Sequence, residues 1–268
     1  MKILCPIDFS STSVKACGWA ARFLEQLGGG TLQLLHCVNV VSRSTMFIKM
    51  DDMFKEQAEA DFKELLPKIR KLAPSIEVAA KIVIRDPKTF IPDYAGHYNF
   101  DLIVNGTKGL TALKDMTVGS VTAYLMDRSP VPLLTIPEEV EFRPVQKIVL
   151  GVDSKVAEVA AFQDVIGLAR KAKAELIFVN TSEEVSTPAE TETFILEIEG
   201  IKSKGFVIPQ GSSIPQALAK FSIDQEADIL VMIHRKRQWF QRLFNTSVTK
   251  EGLFEIKTPT LILPMDSE

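Results

Sequence analysis

Cysteine is scarce: Cys5, Cys17 and Cys37 are the three in 268 residues, all early in the chain and without C-x2-C spacing. That excludes a disulfide framework or a cysteine zinc cluster and fits a reducing compartment. The three histidines, His36, His97 and His234, share no metal-ligand spacing and have no evident nucleophile partner. Long apolar runs are missing as well, the longest being strand-sized and far short of the roughly 20 residues that cross a bilayer. The opening residues show no basic region leading into a long apolar stretch, so no signal peptide is read. A soluble, cytoplasmic protein is expected. No excess of one charge exists either: up to residue 140 there are 16 basic and 16 acidic residues, beyond it 15 and 18, and the net charge is -3. Non-specific nucleic-acid binding would need a basic surplus, so nucleic acid and membrane are not expected partners.

What the chain does have is a globular balance of 46% hydrophobic and 24% charged residues, enough to bury a core. Residues 2–8 are a short apolar run ending in Asp8, as a buried parallel strand running into a loop would be. Ser10, Ser11 or Thr12 can cap the helix that follows, whose apolar positions recur at three- and four-residue steps until Gly28, Gly29 and Gly30 end it. Further strands are read at 32–38, 77–84, 101–105 and 131–136. Helices are read through Phe54 to Ile69, where Pro67 should kink or end the helix, at 91–97 and at 120–127. Strands alternating with helices over short links mean a parallel sheet covered on both faces.

After a polar linker around residues 138–144 the order repeats. Residues 147–153 echo the opening strand, with Asp153 in the place of Asp8, and residues 176–180 echo the second strand through Val38 and Asn39. Residues 227–231 echo the fourth strand, and Ser247-Val248-Thr249 echoes Ser120-Val121-Thr122. The offset falls from 145 at Asp8/Asp153 to 127 at Ser120/Ser247, so the second copy is 18 residues shorter, mostly where the first has its Phe54 to Ile69 helix. The expected architecture is α/β, two tandem open, five-stranded, mainly parallel sheets with helices on both faces. The domains are read as 1–138 and 145–268.

Directly after the fourth strand stands Gly106-Thr107-Lys108-Gly109, with Gly119-Ser120-Val121-Thr122 nine residues on, a G-x2-G-x9-G-S pattern. Glycines there allow φ > 0 and a close backbone approach to a phosphate. The N–H groups at the head of the helix and the hydroxyls of Ser120 and Thr122 can donate to phosphate oxygens. Asp8 reaches the same crevice from another strand. The pattern is neither a Walker loop nor a dinucleotide-binding fingerprint.

With this loop the chain resembles the universal stress protein family, whose adenine-nucleotide-binding members carry the same spacing. Pro6-Ile7-Asp8-Phe9-Ser10, His36-Cys37-Val38 and Ser129-Pro130-Val131-Pro132 look like further family positions. The resemblance covers the first half and implies the fold shared with adenine nucleotide alpha hydrolase-like proteins. It implies ATP, ADP or AMP as ligand, with or without Mg. Asp8 would then face the nucleoside, Pro6, Ile7 and Cys37 would lie near the adenine, and Gly106, Lys108, Gly109, Gly119, Ser120, Val121 and Thr122 would surround ribose and phosphates. Lys108 stands where histidine or arginine is common, and Cys37 where valine is common. The family pairing of last strands implies that residues 131–136 and 260–263 join the two domains, with a homodimer of chains as a further pairing.

In the second half Ile233, Lys236 and Thr246 fall opposite Gly106, Gly109 and Gly119, so that loop is degenerate, and one nucleotide per chain is expected. Arg235, Lys236 and Arg237 form a basic stretch, more often a solvated face than an anion site. No general base, Walker lysine or acidic pair is evident, so the function read is regulatory binding in the stress response with little turnover, at most slow ATP hydrolysis or self-phosphorylation. The alternative reading is a nucleotide-independent scaffold or interaction module.

Overall fold

A computed structural model describes residues 1–38, 45–108, 119–152, 162–185, 187–195, 197–211, 213–233 and 257–264, with side chains of the second helix from residue 53 onward. The first half runs β1 (Lys2–Pro6), α1 (Ser11–Gln26), β2 (Thr31–Val38), α2 (Thr45–Leu72), β3 (Glu77–Ile84), α3 (Pro87–His97), β4 (Leu102–Gly106), α4 (Ser120–Arg128) and β5 (Leu133–Ile136). The second runs β6 (Lys147–Gly151), α5 (Gln163–Ala172), β7 (Glu175–Ser182), β8 (Glu192–Phe194), β9 (Ser203–Pro209), α6 (Ile214–Asp224), β10 (Ile229–Ile233) and β11 (Thr260–Leu263). Asp153, Gly109, residues 234–237, Trp239 and Ser247 to Thr249 lie outside the described residues.

The strands form one sheet in the order β3-β2-β1-β4-β5-β11-β10-β6-β7-β9-β8. The two expected five-stranded parallel sheets are both there, joined edge to edge. The join is the antiparallel pair of β5 with β11, in which Thr260 faces Thr135, Leu261 faces Leu134 and Ile262 faces Leu133. Strand alternation then sorts the apolar residues onto two faces. Ile3, Cys5, Leu134, Ile148 and Leu261 join α1, α2 and α5 in one core layer, and Leu4, Leu133, Val149 and Ile262 join α3, α4 and α6 in the other. Since β5 and β11 each have a neighbour on both sides, a homodimer of chains has to use another surface.

The halves match in detail. The N–H of Lys2 donates to Asp101 Oδ2 (2.6 Å) while Asp101 N–H donates to the Lys2 carbonyl, and Lys147 and Asp228 make the same reciprocal pair. Asn99 (φ 49) and Glu226 (φ 53) both turn left-handed just before β4 and β10. Between β2 and β3 lie 38 residues and between β7 and β9 only 20, which accounts for the missing 18. In place of α2 the shorter crossover supplies a single 3-10 turn (Pro188–Glu190) and β8. Paired antiparallel to β9, β8 covers an edge whose counterpart, β3, has no strand beside it among the described residues, and the ring of Phe194 lies where a Cβ on Gly205 would stand.

Two expectations are corrected. Lys2 pairs with Thr31 and Lys147 with Glu175, so Val179 corresponds to Leu35 and not to Val38. The apolar run of β7 stops earlier and its last three residues are polar, which shifted the alignment. Pro67 does not end its helix, since α2 continues to Leu72. The missing N–H costs one backbone bond, but Phe62, Leu65 and Ile69 are buried on the sheet on both sides of it, and that packing holds the helix.

The linker lies along α1. Lys15 Nζ donates to the Glu138 carbonyl (2.6 Å), Trp19 meets Phe142 edge to face at 5.3 Å, and the amide of Gln26 exchanges 2.8 Å bonds with the backbone of Val145. Because sheet and core layer run unbroken across the seam, the chain should unfold in one transition, with coincident midpoints by far-UV circular dichroism and tryptophan fluorescence. Leu261→Ala, which empties a buried site in the seam, should lower the unfolding free energy by about 2–5 kcal/mol in denaturant titration.

Candidate nucleotide-binding crevice

At the end of β1 the chain turns sharply. Ile7 N–H still donates to the Leu35 carbonyl (2.9 Å), while the Ile7 carbonyl meets His36 Nδ1 at 2.8 Å. Phe9 sits at φ 61, a left-handed conformation that a bulky residue adopts only when its surroundings enforce it. Its ring is wedged against His36 and Phe62, each 5.0 Å away centroid to centroid. The carboxylate of Asp8 accepts from the Ser10 hydroxyl (2.6 Å) and backbone N–H (3.1 Å), and Ser10 Oγ accepts from the N–H of Ser13 as the N-cap of α1. Asp8 therefore holds the cap and is not the cap.

The second strand end is built differently. Gly106 has no left-handed φ, and a Cβ on it would come within 2.7 Å of Thr12 Cγ2 and 3.1 Å of the Thr12 carbonyl. Close packing of α1 on β4 is what needs glycine there. Gly119 has φ -71 and ψ 154, which any residue adopts, and its N–H is already donated to the Thr107 carbonyl at 2.7 Å. The expectation that Gly106 and Gly119 supply positive φ is thus corrected for both. So is the expected role of the Thr122 hydroxyl. It accepts from Asn105 Nδ2 (2.9 Å) and donates to the Gly106 carbonyl (2.9 Å), so its proton is engaged in clamping the head of α4 to β4. As N-cap, Gly119 provides no side-chain bond to α4. The N–H groups at the head of a helix lack intrahelical partners, and this end is left uncapped by its N-cap side chain.

Between these ends lies an open crevice with an empty volume of about 610 Å³ counted out to its mouth. Pro6, Ile7, Leu35, Cys37, Pro87 and Ile91 form its apolar wall, and Asp8, Ser13, Asn105 and Lys108 face it with the α4 head, Gly119 to Thr122. Ten of the eleven expected site residues are described; nine line the crevice, and Gly106 is adjacent through the Thr122 bond. Gly109 is outside the described residues. Sequence reasoning missed Ser13, Leu35, Pro87, Ile91 and the clamp of Asn105. Pro87 and Ile91 open the helix after β3, a position that carries no motif of its own.

The Cys37 thiol is pushed up to about 12 by burial, with the Asp86 carboxylate adding to it. Cys5, 3.0 Å from Cys17 by sulfur, is raised well above the ordinary thiol range by burial and by that neighbour. Both are neutral thiols at physiological pH, which suits packing and not nucleophilic attack. Among the described residues no group of three or more His, Cys, Asp or Glu side chains is placed to hold a metal ion, and no helix is long and apolar enough to cross a membrane.

Residues 1–137 match the model of the universal stress protein family. A universal stress protein of Staphylococcus aureus (strain USA300) is 30% identical over 119 residues, 41% of this chain and 72% of the relative. Over the whole chain, a solved universal stress protein from Archaeoglobus fulgidus DSM 4304 matches with a TM-score of 0.71 at 22% identity, covering 98% of this chain and 97% of its own. One from Pseudomonas aeruginosa UCBPP-PA14 covers 98% and 92% with a TM-score of 0.51 at 17% identity. Both likenesses are of fold and extend over nearly the whole chain. The chain belongs to the universal stress protein family.

Thr122→Val is expected to leave the buried amide of Asn105 without its acceptor and to destabilise the protein by about 1–3 kcal/mol, whereas Thr122→Ser keeps the bridge. Equal melting temperatures for the two variants would remove the clamp from the account.

Proposed function

We propose that the crevice binds one adenine nucleotide, ATP or the related ADP or AMP, in a unit comprising residues 1–138, and that residues 145–268 form a second unit with a degenerate loop. The role is regulatory, in the cytoplasmic stress response, with little turnover. One observation carries the reading: a helix head that its N-cap Gly119 leaves without a side-chain bond, one lysine and one carboxylate converge, among the described residues, on a partly apolar open crevice. Each part fits a different part of a nucleotide. The wall of Ile7, Leu35, Cys37 and Ile91 suits the flat face of a base, and the neutral Cys37 thiol adds no charge to it. The Asp8 carboxylate suits ribose hydroxyls as donors. Backbone N–H groups and the dipole of α4, with Lys108, suit phosphate oxygens.

A magnesium ion would be carried mainly by the phosphates and water, as that ion prefers. His36 gives its Nδ1 to the Ile7 carbonyl, so it does not serve as a base toward the crevice through that atom. The described side chains that face the crevice support binding with little phosphoryl transfer.

Asp8→Ala should weaken ATP and AMP alike, by roughly ten-fold for the loss of a charged hydrogen-bond acceptor at the nucleoside end. Binding measured by titration calorimetry would move Asp8 to the phosphate end if the loss were confined to ATP. Stoichiometry supplies the second check, because Ile233 ends β10 where Gly106 ends β4 and the loop glycines of the first half have no counterparts in the second. Calorimetry on the whole chain should give close to one nucleotide per chain. Two equivalent sites would refute the assignment to the first half, and the absence of any ATP-dependent melting shift would favour the nucleotide-independent scaffold.

A further inference from the structure

As the chain leaves β5 it brings an acid to the crevice. Glu138 Oε2 stands 4.0 Å from Lys108 Nζ, and the two side chains are 44% and 30% exposed. Lys108 is the one cationic side chain lining the crevice among the described residues, and Asp8 the one acidic side chain. The position of Glu138 is imposed from α1: Lys15 Nζ takes its carbonyl at 2.6 Å and pairs with the Glu141 carboxylate at 2.9 Å. Lys15 thus holds the backbone of Glu138 and pairs with the side chain of Glu141, and the Glu138 side chain is directed at Lys108 while its own main chain is held.

We propose that Glu138 occupies Lys108 in place of a phosphate and so sets the preference of the crevice among ligands of different charge. This rests on the nucleotide reading above and adds to it a residue outside the G-x2-G-x9-G-S loop. The pair is long and partly solvated, so water screens it and it is readily exchanged. A phosphate group carries more charge and more acceptor oxygens than a carboxylate and outcompetes it for the ammonium group. Exchange does not remove Glu138, because Lys15 keeps its backbone in place. The released carboxylate remains beside the bound phosphate and repels it, and the repulsion grows with the number of phosphate charges. An uncharged nucleoside meets no such opposition.

The test uses the full-length chain with ATP and adenosine as probes, by titration calorimetry at low and at physiological ionic strength. Glu138→Gln should tighten ATP by roughly two- to five-fold at low ionic strength, the range set by exposed ion pairs, with adenosine unchanged. The gain should shrink as salt rises. Lys15→Gln, which releases the main chain of Glu138, should shift ATP in the same direction by less. In a Lys108→Gln background the gain from Glu138→Gln should fall, since the group competed for is gone and only the direct repulsion between carboxylate and phosphate is left to relieve. An ATP-to-adenosine preference unchanged by Glu138→Gln, or the same gain with and without Lys108, overturns the competition while leaving nucleotide binding intact. Failure of the unaltered chain to bind either probe overturns both.

Discussion

Two parallel sheets each end in a short apolar strand that cannot stand exposed, and in this chain each is covered by the other. The seam of β5 and β11 buries Leu133, Leu134, Leu261 and Ile262, one pair in each core layer. An edge of this kind, left open, would be a template for pairing with other chains. Closing it within one molecule spends it. Thr135 and Thr260, fully buried at the seam, remain tolerable because hydroxyl and carbonyl satisfy each other there, Thr135 Oγ1 donating to the Thr260 carbonyl.

The antiparallel seam also reverses the parallel strands of the second half, all but β8, relative to the first. The linker must bridge that reversal, and it does so lying on α1, through Lys15, Trp19 and Gln26 in turn. The helix that starts beside the crevice is therefore also the one that carries the connection between halves. Thr12 on the same helix presses against Gly106, and Ser13 lines the crevice. Site, linker and sheet share one element, which is how an acid from the linker comes to stand next to the crevice lysine.

At the crevice, much of what reads as ligand chemistry is first of all construction. Gly106 makes room for α1, Gly119 closes the loop by donating to Thr107, and Thr122 ties α4 to β4. The consequence is a helix head fixed in place with its remaining backbone donors uncapped by its N-cap. The residues that make the clamp shape the crevice as much as those that line it.

Strand and helix order, the repeat with its 18-residue deficit and the gathering of Asp8 with Lys108 and Gly119 at one sheet edge were legible in the sequence, because apolar periodicity and glycine spacing report directly on local structure. Family membership was legible too, from the loop pattern and the residues around Asp8. What could not be read were partners distant in the chain. Nothing near Gly106 announces Thr12, nothing near Lys108 announces Glu138, and the hydroxyl of Thr122 looks free until Asn105 and the Gly106 carbonyl are seen on either side of it. Pro67 within α2 shows the same limit from the other direction, since local chemistry opposes the helix and packing on the sheet keeps it. Local propensity and periodicity are properties of neighbouring residues, so the sequence determined the elements and their order. Which donors are already engaged, which glycine is there for packing, and which acid meets which lysine depend on atoms brought together over tens of residues, and these only the tertiary structure decided.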